Sequence, residues 1–404
     1  MADNWRDEAA RRALSGEAWD DFCEQLKSAG RHIEAWGDVP TDADRAEYYR
    51  YLSRLARNGL ERFVENCEPA SPRLRDTPFR CSINAQTPDQ DHLLSEWHEP
   101  GHEYRLTGRR GTNDYFIIGV WSAAQGAEVG ARDWGKRGVD GLADFDPADL
   151  TTTGFLASQD IVFEDDGSFE VLCTREKPEG ATNWLQIAED SVGLLIRVVY
   201  QDRASETGPT IGIERLDEHR RLPIAPDQLA SNLARSGQMV LGYADLPRRW
   251  WDETLHARMN RLEFSKDLYL SNGGVNDRHH AFAAWDVPGD RSLVHRFRVP
   301  QCDYWIFQLL NIFQENLDNY EDGQGHVNNS HATVDADGNA TVIVSARDPG
   351  FGNWIDRFGH AHGTMSLRFV KCPEAPPEVS TWIVPDAALA ADGEAALTEE
   401  RRLS

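Results

Sequence analysis

Two stretches of this chain repeat one another, and that constrains its fold more than any other feature. "DYFIIGV" at 114–120 matches "DYWIFQL" at 303–309, and "DGSFEVLCTREKPEGATNWL" at 166–185 matches "DGNATVIVSARDPGFGNWI" at 337–355. The closing stretches agree as well: Arg197 follows Asn183 by fourteen residues, and Arg368 follows Asn353 by fifteen. Landmarks in one order at nearly equal spacing imply two related units.

Both repeats read as strands. "DYFIIGVWS", "DIVFEDDGSFEVLCT" and "VGLLIRVVYQD" are short apolar or alternating runs bounded by Gly, Asp or Pro. The Asp-Gly of "FEDDGSFEV" supplies the positive φ of a tight hairpin. Helical spacing is confined to 17–30, 42–66 and about 226–264, where apolar residues recur three and four apart, as in Tyr48, Tyr51, Leu52 and Leu55. Thr41 or Asp42 in "PTDADRAEYYRYL" starts the second helix. The expected organisation is an N-terminal helical cap (1–77), a first β unit (78–215), a helical insert and loop (216–280), a second β unit (281–373) and a C-terminal tail (374–404). The expected fold class is mainly β with flanking helices (α+β), built on two related jelly-roll-like β-sandwich units.

With 67 acidic against 42 basic residues, the chain carries a formal charge of −25. Such a field repels phosphate backbones and anionic lipid alike, so neither nucleic acid nor a membrane is an expected partner. No run approaches the ~18 apolar residues of a membrane span. The N-terminus is charged from its third residue and lacks a signal peptide's apolar segment. The six cysteines are dispersed without a CxxC, so they read as inert, reduced thiols and the expected location is cytoplasmic.

Features present in both repeats belong to shared folding. Trp184 and Trp354 are expected to fill the core beside a hairpin, while Asn183 and Asn353 bond turn backbone; Arg197 and Arg368 read as partners of buried carboxylates. Polar residues private to the second repeat are the candidates for chemistry: Gln308, Asn311, His326, His331, Asp356, His360 and His362. Three readings are open for "GFGNWIDRFGHAHGTMSLRF" at 350–369. A metal site would use His360 and His362, which share a face if the segment is a strand, with His331, His326 or Asp356 as third ligand; the Glu that a cupin places after its HxH is lacking. An acid–base site would use His360, which titrates near neutrality, oriented by Asp356. The third reading is a hairpin whose histidines satisfy local hydrogen bonds. Elsewhere, Arg109 and Arg110 in "GRRGT" suit either an anion-binding turn or an exposed hairpin, and "NGGVNDRHHAF" at 272–282 reads as a loop able to act as a lid. No GxSxG, HExxH or dinucleotide fingerprint is present.

The run "CDYWIFQLLNIFQENLD", together with "ATVIVSARDPGFGNWIDRFGHAHGTMSLRFV", resembles the bacterial family called domain of unknown function 1214, whose members carry "YWxFQLxNxWxES" and "DPGxxNWLDTxGHxxGTMxxRW". The resemblance extends upstream through "YRLTGRRGTNDYF" and covers most of 17–373. It implies a jelly-roll-like fold related to proteins that pair this domain with domain 1254, and it implies no established reaction. The family pattern carries Tyr304, Trp305, Gln308, Asn311, Asn353, Trp354, Asp356, His360, Gly363 and Arg368, and it omits His362. This chain departs from the pattern at Phe313–Asn316 and at Arg357-Phe358.

The function expected is an enzyme acting on a small, largely apolar metabolite in an aromatic-lined groove of the second β unit. His360 would be its acid or base and Asp356 the orienter. Gln308, Asn311, Trp305 and Tyr304 would bind substrate, with Arg109, Arg110 and His331 further candidates. No cofactor is expected, a divalent metal at His360 and His362 being the alternative, and a homo-oligomer is compatible with the sequence. The competing readings are a non-catalytic carbohydrate- or lipid-binding module and an assembly-forming structural protein.

Overall fold

The computed structural model describes residues 4–65, 68, 70–77, 87–97, 101–113, 115–122, 152–217, 219–220, 222–267, 278–317 and 324–403. It divides into one unit of residues 1–81 and 90–246 and a second of residues 82–89 and 247–404.

In the first unit, α1 (Asn4–Ser15), α2 (Glu17–Arg31) and α3 (Asp42–Gly59) follow the helical spacing. Thr41 caps α3 reciprocally: its hydroxyl accepts the Asp44 N–H, while the Asp44 carboxylate accepts the Thr41 N–H at 2.8 Å. The apolar stripe of α2, with Ala18 and Phe22, packs on Ala230 and Leu233 of α4 (Pro226–Trp250). Ser236 Oγ donates to Gly59 O at 2.9 Å and Tyr51 Oη to Tyr243 O at 2.7 Å. A Cβ at Gly237 would stand 1.8 Å from Gln25 Oε1, so glycine lets α4 come this close to α2. The cap and the insert, expected as separate decorations, therefore form one helical layer.

The β part of this unit has β1 (Arg75–Thr77), β2 (Gln90–Glu96), β3 (Tyr104–Arg109), β4 (Tyr115–Ser122), β5 (Thr152–Ala157), β6 (Ser168–Thr174), β7 (Trp184–Gln186), β8 (Ser191–Val199) and β9 (Thr210–Arg215). They form two sheets ordered β1-β2-β8-β4-β5 and β7-β6-β3-β9. The second unit has β10 (Arg278–Asp286), β11 (Arg291–Arg298), β12 (Tyr304–Leu310), β13 (His326–Asn328), β14 (Asn339–Ser345), β15 (Asn353–Asp356), β16 (His362–Val370) and β17 (Ser380–Pro385), ordered β10-β16-β12-β13 and β15-β14-β11-β17. Adding eight to each label from β2 to β9 converts the first arrangement into the second, including the parallel pairs β6–β7 and β14–β15. The protein is thus mainly β, with four sandwich-like sheets and helices at the N-terminus and between the β parts.

The shared landmarks explain themselves locally. Asn183 Nδ2 donates to Val162 O and Glu170 O, both at 2.9 Å, and its Oδ1 accepts the Val162 N–H at 2.8 Å. Asn353 repeats this with Thr333 O, Thr341 O and the Thr333 N–H. The tryptophans differ from expectation. Trp184 and Trp354 are half-buried, their indole N–H groups bonded to Thr174 Oγ1 at 2.9 Å and Ser345 O at 3.4 Å, and the next residues, Leu185 and Ile355, fill the cores instead. Alternation along a strand requires this, because neighbours point to opposite faces.

Residues 374–404, expected as a tail, contribute β17, which pairs with β11, and the helix α5 (Asp386–Asp392). Trp382 and Val384 bury themselves with Val294, Ile343 and Leu389. Neighbouring prolines at 376 and 377 disguise so short a strand.

His295 on β11 is fully buried, with Nδ1 3.0 Å from Thr381 Oγ1, and burial pushes its pKa down to about 3. Because the folded value lies below the unfolded one, its stabilising contribution is complete above about pH 6.5 and is lost as pH falls toward the folded value. Urea midpoints measured near pH 7 and near pH 4.5 should therefore drop less in His295→Gln than in the wild type.

Candidate functional site

Each strand of the β10-β16-β12-β13 sheet sends alternate residues into the sandwich core. Met365, Leu367 and Phe369 of β16 go inward, as do Trp305, Phe307 and Leu309 of β12. The opposite face carries the polar alternates. Cross-strand register sets His280, Arg368, Ile306 and Asn328 in one row and Phe282, Ser366, Gln308 and His326 in the next. Tyr304 stands diagonal to Arg368, at the end of a row with Val370 and Arg278.

A polar face of this kind ordinarily meets water. Here Gln308, Asn328, Ser366, Tyr304, His280 and His326 are all buried. Asp89, from the segment 87–89, belongs to the same unit and is itself 2% exposed; its Oδ2 accepts from Asn328 Nδ2 at 3.5 Å. The His280 ring lies 3.7 Å from that of Phe282, and Phe282 meets Trp250 edge-on at 5.4 Å.

Burial raises the Asp89 pKa, with His326, the Thr87 hydroxyl, Arg368 and Asn328 pulling the other way. His280 is driven well below its ordinary value, first by burial and then by the Arg368 cation, so its imidazole is neutral at neutral pH. Asp89 Oδ1, Tyr304 Oη and Ser366 Oγ are buried without a hydrogen-bond partner among the described residues. Buried polar atoms are normally paired, so three such groups on one face need an explanation. A permanent cation, a neutral imidazole, a carboxyl biased toward its acid form and two hydroxyls can together grip a polar group and hold or pass a proton.

The first unit has the cross-strand pair without the equipment. His92, Arg197 and Ile117 form a row matching His280, Arg368 and Ile306. Where the second unit sets Gln308 opposite Ser366, however, the first sets Gly119 opposite Leu195.

The residues expected from sequence fall in several places. Gln308 and Tyr304 lie on the polar face, whereas Trp305 points into the core against Phe297 at 5.4 Å. Asn311 organises the turn after β12, its Oδ1 accepting the Phe313 and Glu315 N–H groups at 2.9 and 3.0 Å. His331 is exposed, 5.5 Å ring to ring from the buried His326. His360 is half-buried in the β15–β16 turn, not in a strand, so it does not share a strand face with His362, which opens β16. Buried Arg357 pins that turn through the carbonyls of Val287, Pro288 and Gly289. Asp356 Oδ1 accepts the Phe358 N–H at 2.8 Å, so this carboxylate is engaged in the turn. No group of three or more metal-ligating side chains stands together among the described residues. In the first unit, Arg109 pairs with Asp166 at an exposed hairpin, and Arg110 lies 5.3 Å over the Phe163 ring. Residues 272–277 of the expected lid lie outside the described residues.

Sequence reading missed Asp89, His280, Asn328 and Ser366 as site residues and took Arg368 as structural. The available signal was the alternation Thr364, Ser366, Arg368 in β16, which looks like an ordinary wet face.

No helix among the described residues is long and apolar enough to cross a membrane. No curated protein matches the chain. A crystal structure of an uncharacterized protein from Burkholderia cenocepacia is similar at 33% identity, covering 94% of this chain and 100% of that one with a TM-score of 0.82. The VPA0106 protein from Vibrio parahaemolyticus is 14% identical over 83% of this chain and 97% of its own, with a TM-score of 0.43. The sequence model described as "Protein of unknown function (DUF1214)" matches residues 147–202. That match lies in the first unit and contains Asn183, Trp184 and Arg197, the counterparts of the motif residues read in the second. The relationship to the Burkholderia protein runs through nearly the whole chain, and with the DUF1214 match it identifies this protein as a member of the DUF1214 family.

Proposed function

We propose that this protein is an enzyme acting on a small, largely apolar metabolite by acid–base chemistry, and that the work is done on the buried polar face of the second unit. The observation that carries this reading is that Asp89 Oδ1, Tyr304 Oη and Ser366 Oγ are all buried and unpartnered among the described residues, with Tyr304 and Ser366 in the rows on either side of Arg368. Asp89 is the proton carrier, since burial brings its carboxyl toward the range where it can give and retake a proton. His280 and Gln308 orient the polar group of the substrate. Asp356 and His360, held by the turn, are left a supporting role. We further infer that the two β units descend from one duplicated sandwich, of which only the second acquired this equipment. An exposed free thiol at Cys23 favours a reducing, cytoplasmic setting.

A fragment screen by ligand-observed NMR tests the reading, with each hit incubated in D2O. Exchange of a carbon-bound proton by the wild type and not by Asp89→Asn supports it. Binding without exchange would make the protein a binding module. Hits that bind Tyr304→Phe/Ser366→Ala as well as the wild type would remove the site. Ser366→Ala alone should raise stability by about 1 kcal/mol, because it deletes a buried unpaired hydroxyl, while weakening every hit. Urea denaturation reads the first effect, and no gain would mean that the hydroxyl is satisfied in the free protein.

A further inference from the structure

We infer that the ligand of this face is a carboxylate with an apolar body, its carboxylate seated at Arg368 and its body lying toward Phe282 and Trp250; the inference rests on the site proposed above. Arg368 occupies the centre of the polar rows, with His280 and Ile306 directly across and Ser366 next along its own strand. On one sheet face such neighbours have Cβ atoms roughly 5 Å apart across strands and about 7–8 Å apart on diagonals, a span that one carboxylate bridges. A guanidinium keeps its charge at any working pH, so half-buried Arg368 is a fixed positive centre on this face, felt by the Asp89 carboxyl.

Two further observations select an organic anion over a neutral polar group. Tyr304 and Ser366, each 1% exposed, present hydroxyls that can both donate, and neither is partnered among the described residues. A carboxylate accepts from a guanidinium fork and two hydroxyls at once, whereas an amide or alcohol has too few acceptor sites. The unpartnered Asp89 oxygen fits the same ligand, since an acid form there donates to a carboxylate, and two carboxyls in one site share a proton. Half-buried Phe282, with Trp250 edge-on beside it and Ile306 in the Arg368 row, supplies an apolar wall, while the other guanidinium of the face, Arg278, stands at its far end in the Tyr304 row. The ligand is therefore a carboxylate with an aromatic or aliphatic body.

The test is calorimetric titration of the full-length protein with benzoate, phenylacetate and octanoate, each beside its primary amide of the same shape. At least one acid should bind the wild type roughly 10- to 100-fold tighter than its amide, the range expected for charge-assisted hydrogen bonds. Arg368→Gln should abolish that preference, and Tyr304→Phe and Ser366→Ala should each weaken the acid several-fold while sparing the amide. If Arg368→Gln does not fold, the two conservative variants carry the test. Amides that bind as tightly as the acids, and are lost in Tyr304→Phe, would overturn the carboxylate and leave the site standing. No binding by any acid or amide, or equal binding by wild type and both conservative variants, would overturn the site itself.

Discussion

Trp305→Ala should cost about 3–5 kcal/mol of unfolding free energy, the range for emptying an aromatic site in a packed core. Trp305 is 2% exposed, meets Phe297 edge-on at 5.4 Å, and shares its cluster with Phe307, Leu309, Leu367 and Phe369. A tryptophan lining an open groove would cost far less, because water would refill the space. Chemical denaturation separates the two outcomes. A change below about 1 kcal/mol would return Trp305 to the substrate-binding set where the sequence had it.

Asn353→Ala and Asn183→Ala should each cost about 1–3 kcal/mol, since either strands a part-buried N–H and two carbonyls that the amide now serves. Asn353→Asp should be nearly as damaging, because a carboxylate cannot donate to Thr333 O and Thr341 O. The two sites have matching partners, so they should respond alike. A large loss at one and none at the other would break the equivalence of the two β arrangements.

Much of the scaffold was legible because its signals are local. Asp-Gly turns, Asn-Trp landmarks and alternating runs depend on a few neighbouring residues, and the strand orders agree with them. Helical spacing in 42–66 gave α3 through Tyr48, Tyr51 and Leu55. What escaped depends on register and on distant chain. His280 faces Arg368, and His92 faces Arg197, only because of how strands align, which no single run of sequence states. Ser366 looked wet because nothing in its own strand states that this face is buried. His360 and His362 looked like a pair on a strand, but positive φ at Phe358 and Gly359 puts a turn under the first of them. β17 escaped because six residues after two prolines give too short a pattern to trust.

The order of synthesis meets an obstacle in the second unit. Asp89 emerges early, yet it serves strands made much later, and β17 closes its sheet only at the end of the chain, where the Leu403 N–H bonds Thr381 O at 2.8 Å. The first sandwich has all its strands once residue 215 is made, whereas its sibling must wait for residues 380–385. A chain stopped just before residue 380 would leave β11 with a naked edge, so loss of β17 is a route to aggregation rather than to a smaller working protein.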